Sequence, residues 1–168
     1  MEFLVLTPFI LQGLAIAFDE YYFHIKRGLP LWERIGHPIY TLSVMICLFF
    51  VLLVPYSPIA LKWFIGLSIF SSLMVTKDEW VHKHHCPASE QWLHAMLFLN
   101  HPVMLTCTGL IWAAGVGKAS PNWVQAWLSH PEALYTMLKT QAAFSVVFFF
   151  YQVIYWNFIW KEKKVDSQ

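Results

Sequence analysis

Phe64-Ile65-Gly66-Leu67-Ser68-Ile69-Phe70-Ser71-Ser72-Leu73-Met74-Val75-Thr76 runs without a charge into Lys77-Asp78-Glu79-Trp80-Val81-His82-Lys83-His84-His85. An earlier apolar run ends the same way, in Asp19-Glu20-Tyr21-Tyr22-Phe23-His24. Acid and imidazole groups are costly near hydrocarbon, so their presence at such ends marks function by default. Six of the 10 acids (Asp19, Glu20, Glu33, Asp78, Glu79, Glu90) fall in two windows, 19–37 and 78–101. Seven of the 8 histidines (His24, His37, His82, His84, His85, His94, His101) fall in the same two. Outside them the apolar segments carry almost neither.

The composition agrees with a membrane protein. Of 168 residues 58% are hydrophobic and 12% charged, with a mean hydropathy of +0.50, which is not a soluble globular composition. Aromatics make up 18%, including 9 Trp, enough for belts at both interfaces. A net charge of +1 with no basic stripe excludes a nucleic-acid partner. Met1-Glu2-Phe3 puts an acid where a signal peptide carries Lys or Arg, so the first segment is expected to stay as a span. Three cysteines (Cys47, Cys86, Cys107) form no Cys-x-x-Cys pair and support no disulfide framework.

Runs long enough to cross a bilayer, about 20 helical residues, fall near 3–24, 38–55, 58–77, 95–115 and 133–159. The expected fold is an all-α integral membrane protein, a single domain over 1–168 with five transmembrane helices. Four of them form two similar αα-hairpins in a bundle, 3–55 and 58–115; an interfacial helix and the fifth span follow over 118–160. Each hairpin reaches Asp-Glu and a His, turns through a Pro-containing loop, meets Glu33 or Glu90, and returns through His37-Pro38 or His101-Pro102. Duplication and convergence of two short patterns both account for the likeness. With five spans, Lys26, Arg27, Arg34, Lys77, Lys83, Lys161, Lys163 and Lys164 share one side, against Lys62, Lys118 and Lys139 on the other. The excess marks the cytoplasmic face, so the N-terminus is expected outside, the C-terminus inside, and the acid–histidine cluster at the cytoplasmic end of a cell membrane. Trp123 and Trp127 predict a short interfacial helix, and Ser129-His130-Pro131-Glu132 a capping box opening the last span. His130 then lies on the far side as a cap neighbour.

Helical spacing puts a carboxylate and an imidazole on one stripe of each of the first four helices. Glu20 and His24 are i,i+4, as are Glu33 and His37; Glu79, His82 and His85 step by threes; Glu90, His94 and His101 fall at i, i+4 and i+11. Inward Glu and Glu-x-x-His residues from four helices are how di-iron and di-manganese bundles hold two ions. The expected ligands are Glu20, His24, Glu33, His37, Glu79, His82, His85, Glu90, His94 and His101. Asp19 and Asp78 precede a ligand-type Glu by one residue, so they are expected behind the ligands, holding imidazole N–H groups. Ordinary interfacial charges account for any one of these residues; the repeat over four helices points to a metal centre. Oxygen and imidazole donors suit iron, manganese or zinc better than copper(I).

The histidine density at cytosolic helix ends resembles the membrane non-haem di-iron oxygenases, the fatty-acid desaturases, hydroxylases and alkane hydroxylases. The likeness covers windows 19–37 and 78–101 only. His82-Lys83-His84-His85 is the one box-like element, its spacing is not that of the HxxHH box, and the carboxylates lean toward a ferritin-like style. The resemblance implies two metal ions, iron first, activating oxygen against a lipid chain.

Three functions follow as expectations. The first is a di-metal oxidoreductase acting on a hydrophobic or lipid substrate that enters from the bilayer, with an electron donor as partner. The second is a zinc-dependent hydrolase of a lipid amide or ester, with the metal activating water and Glu79 or Glu90 as catalytic base. The third is non-catalytic: a haem b carrier on pairs such as His24/His94, or a metal or proton transporter. Haem leaves the helical carboxylates without a role, and transport favours polar groups at the midplane.

Overall fold

The computed structural model describes residues 2–76, 86–116 and 130–160, together with Asn122 and Leu128. The expectations for Asp78, Glu79, His82 and His85, and for the Trp123/Trp127 interfacial helix, lie outside the described residues. The described residues are helical, with no strand among them. Five helices are long and apolar enough to cross a membrane: Leu4–Arg27, Leu31–Leu53, Pro58–Thr76, Ala88–Gly115 and Glu132–Ile159. The first comprises α1 (Glu2–Phe18), a π-helical segment (Asp19–His24) and a last short turn (Ile25–Arg27). The others are α2 (Leu31–Leu53), α3 (Pro58–Thr76), α4 (Ala88–Gly115) and α5 (Pro131–Ile154), the last closing in a π-helical turn, Tyr155–Ile159.

Two boundaries differ from the sequence reading. α2 and α4 begin at Leu31 and Ala88, not near 38 and 95, and Pro38 and Pro102 stand inside them. Their true starts are Pro30 and Pro87, which share one geometry (φ −64°, ψ 158° and φ −64°, ψ 154°). Each proline carbonyl accepts the amides of the third and fourth residues after it, Glu33 and Arg34 in one case, Glu90 and Gln91 in the other. A proline at such an end leaves no amide unsatisfied, since the first N–H groups of a helix have no internal partner. The equivalent positions of the two hairpins are therefore Glu33/Glu90 and His37/His94, with His101 further along α4.

The first two helices also part company. α1 packs along α4, while α2 packs against α3 and α5. The end of α5 contacts both: Trp156 reaches Glu20 of the first helix, and the Trp160 ring lies under Gly28 and Arg34. Gly28 has φ +76°, and a Cβ there would run into that ring, so both backbone and space require glycine.

Apolar and polar cores occupy different levels of the bundle. Val5, Phe9, Leu48, Val51, Phe64, Met104, Leu105, Trp112, Leu134 and Leu138 form the apolar one. Trp112 anchors it, T-stacked on Phe50, Tyr56 and Phe64, with its Nε1 donating to the Val54 carbonyl at 3.2 Å. Leu4, Leu14, Ile59, Trp63, Leu73, Leu99, Phe144 and Phe158 point outward and are exposed. Such an apolar exterior suits hydrocarbon and would not stay dispersed in water.

Candidate metal centre

The polar core sits where the first span ends and where α2 and α4 begin. It starts from the π-helical segment. A π-turn bonds i to i+5 instead of i+4, so Asp19 and His24, five apart, come onto one face. His24 Nε2 lies 3.2 Å from Asp19 Oδ2 and 3.8 Å from Glu90 Oε1. His94 Nε2, from α4, lies 3.0 Å from the same Asp19 oxygen. Asp19, His24, Glu90 and His94 are all buried, and one ligand-type atom from each falls within 4.8 Å of every other. A second, overlapping set brings together His24, Glu33 and His37; the His24 and His37 rings lie 4.9 Å apart.

The donor set fits a metal ion. Two buried atoms at its centre, Asp19 Oδ1 and His24 Nε2, have no hydrogen-bond partner among the described residues. Burying such groups without compensation is unfavourable, and a cation would take both. The imidazole is oriented from behind, because His24 Nδ1 donates to Glu20 Oε2 at 2.9 Å, which leaves the Nε2 lone pair for a metal. Glu20 Oε1 in turn accepts the Tyr151 hydroxyl at 2.6 Å and Trp156 Nε1 at 2.8 Å. Glu20 thus has both oxygens occupied by donors.

The carboxylate pair is therefore arranged opposite to the expectation from an ordinary helix. Asp19 faces the histidine Nε2 atoms, and Glu20 turns toward α5 and holds His24. The extra residue in the π-turn causes the exchange. His24, Glu33, His37, Glu90 and His94 converge as the stripes suggested. His101 does not: its Nε2 is 3.0 Å from Ser71 Oγ, which is 2.8 Å from Ser43 Oγ, a buried polar link further along α4.

Sequence reasoning passed over Arg27, Tyr151 and Trp156. Arg27 was read only as a topology signal, yet its Nη2 is 2.6 Å from Glu90 Oε1 and 2.9 Å from Glu33 Oε1, and its Nε is 3.4 Å from Glu90 Oε2. The signal that could have found it is charge balance: buried carboxylates need a cation. The fifth helix lacks acid and histidine in its apolar portion, so ligand spacing gives no sign that its Tyr151 hydroxyl and Trp156 indole reach Glu20. Cys86 Sγ lies 3.6 Å from Arg27 Nη2. Burial first, then the Glu90 and Glu33 carboxylates against the Arg27 guanidinium, push its thiol up to about 12.

A cavity of about 120 Å³ adjoins the centre. Asp19, His24, His37 and His94 line it near the centre; Tyr40, Phe148 and Gln152 also face it. A larger apolar cleft of about 530 Å³ between α3 and α4 touches none of the centre's residues. Position beside the donors, not size, makes the smaller one relevant to chemistry. No family model, no curated protein and no solved structure matches this chain.

Proposed function

We propose that this protein is a membrane-embedded di-metal oxidoreductase, iron-dependent, acting on a hydrophobic or lipid substrate at the cytoplasmic side. The observation that carries the reading is the buried set Asp19, His24, Glu90 and His94, drawn from two spans and opening onto a cavity. Glu33 and His37 supply donors for a second ion beside it. Non-haem iron in such an oxygen-and-imidazole setting supplies redox chemistry with oxygen.

The chain's own residues do the remainder. Glu20 fixes the His24 tautomer, and Tyr151 and Trp156 fix Glu20. The cavity admits a segment of substrate, comparable in volume to an engineered site of 150 Å³ that binds benzene. The surrounding spans keep water from the reacting atoms. The basic residues flanking the spans support a cytoplasmic location, with the N-terminus outside and the C-terminus inside.

A second reading has its own support. Four donors gathered around one point also suit a single tetrahedral zinc ion, and a zinc centre would make the protein a lipid amide or ester hydrolase. Metal analysis of protein purified in mild detergent, without added metal, separates the two. Two irons per chain are expected. One zinc would transfer the assignment to hydrolysis, a Soret band would move it to a haem carrier, and protein free of metal would end it.

A further inference from the structure

The two donor sets share His24, and that histidine serves one ion only. Its Nδ1 is committed to Glu20, leaving a single nitrogen. A second ion must therefore be held by Glu33 and His37, and Glu33 shares one cation with Glu90 of the first set. That is where the Arg27 guanidinium lies. One nitrogen, Nη2, bridges Glu33 Oε1 at 2.9 Å and Glu90 Oε1 at 2.6 Å, two carboxylates on different helices. The alike starts of α2 and α4 present these carboxylates to it from either side.

From this geometry, and resting on the metal-centre reading above, we infer that Arg27 stands in the place of a second cation, and that loading of the second metal ion displaces it. Charge supports the assignment. Among the described residues the cluster holds four buried carboxylates, Asp19, Glu20, Glu33 and Glu90, and one guanidinium. The Glu33 and Glu90 side chains are fully buried, while Arg27 is 26% exposed. Buried carboxylates require a cation at all times, and Arg27 is the partner that can leave for water. It stands next to Gly28, whose positive φ ends the helical turn, and its Nη1 donates to the Gly28 carbonyl at 3.1 Å. Guanidinium is permanently charged and matches carboxylate geometry, so it holds the site ordered before metal arrives and competes with metal afterwards.

The test is a cobalt(II) titration of the metal-stripped full chain in mild detergent, followed by visible absorption and calorimetry, for wild type, Arg27→Gln and Arg27→Lys. Wild type should bind one ion tightly and a second weakly. Arg27→Gln should bind the second about tenfold more tightly or better, a gain of about 1.4 kcal/mol, and Arg27→Lys should stay near wild type. If Arg27→Gln is unstable without metal, its melting temperature should rise more on cobalt addition than that of wild type. A second ion bound no more tightly by Arg27→Gln would overturn the inference and leave the di-metal reading standing, whereas only one ion bound by all three proteins would overturn both the inference and the di-metal reading and leave a single-ion centre. No ion bound by any of them would remove both.

Discussion

A carboxylate's role here is decided by which neighbour each oxygen meets. Asp19 turns Oδ2 toward two imidazole nitrogens and keeps Oδ1 buried with no hydrogen-bond partner among the described residues, whereas Glu20 accepts three donors from His24, Tyr151 and Trp156. Asp19→Ala, His24→Ala and His94→Ala are therefore each expected to strip most of the bound metal. Glu20→Gln should weaken it by about 10–100-fold, the scale for a group that only orients a ligand. Elemental analysis after dialysis against a mild chelator ranks the variants, and equal loss from Glu20→Gln and Asp19→Ala would remove the distinction. Cys86 gives a pH-dependent counterpart. Its thiol is shifted upward to about 12, so the reactive thiolate is scarce at pH 8 and grows only as the pH climbs toward that value. Maleimide should label Cys86 slowly in detergent at pH 8 and readily after unfolding. Fast labelling of the folded protein would show the thiol to be neither buried nor raised.

At the scale of the element, the π-helical segment is the device that brings Asp19 and His24 together in the candidate centre. It explains why the cluster was only partly legible: stripes drawn with a period of 3.6 gather His24, Glu33, His37, Glu90 and His94, which the structure also brings together, but put Glu20 where Asp19 stands. Nothing in Asp19–His24 announces an i+5 turn, because all its side chains are compatible with an ordinary helix. Tyr21 and Tyr22 face outward and are exposed. Deleting Tyr22 should let the segment relax into α-helix with Asp19 and His24 four apart and still on one face, while Glu20 moves to three from His24. Unchanged circular dichroism with metal retained is expected; lost metal would show that the five-residue spacing of the π-turn is itself needed to bring the ligands together. The Gly28 loop is a second such element. Its φ of +76° and ψ of 162° lie in a region that is essentially glycine-only, costing other residues about 1–3 kcal/mol. Gly28→Ala should lower thermal stability and displace Trp160, read as a red-shifted tryptophan emission.

For the whole molecule, the division into an apolar and a polar core follows from the solvent on either side of each helix. Five helices long and apolar enough to cross a membrane were legible because length and hydropathy alone identify them. Packing order was not legible: nothing in α1 or α2 states that α1 packs along α4 and α2 against α3 and α5, or that Trp156 and Trp160 reach Glu20 and Gly28. Orientation can be tested from the same residues. Lys26, Arg27 and Arg34 flank the turn between the first two spans, and basic flanks are retained on the cytoplasmic side. A reporter fused after Gln168 should then be active only if it works in the cytoplasm, and a reporter placed in the 55–58 turn only if it works outside. The two must disagree, because that turn and the C-terminus are separated by an odd number of spans, α3, α4 and α5. Exoplasmic activity at the C-terminus would invert the protein and move the metal centre to the outer face. Identical activity at both points would mean that one of the five helices does not cross.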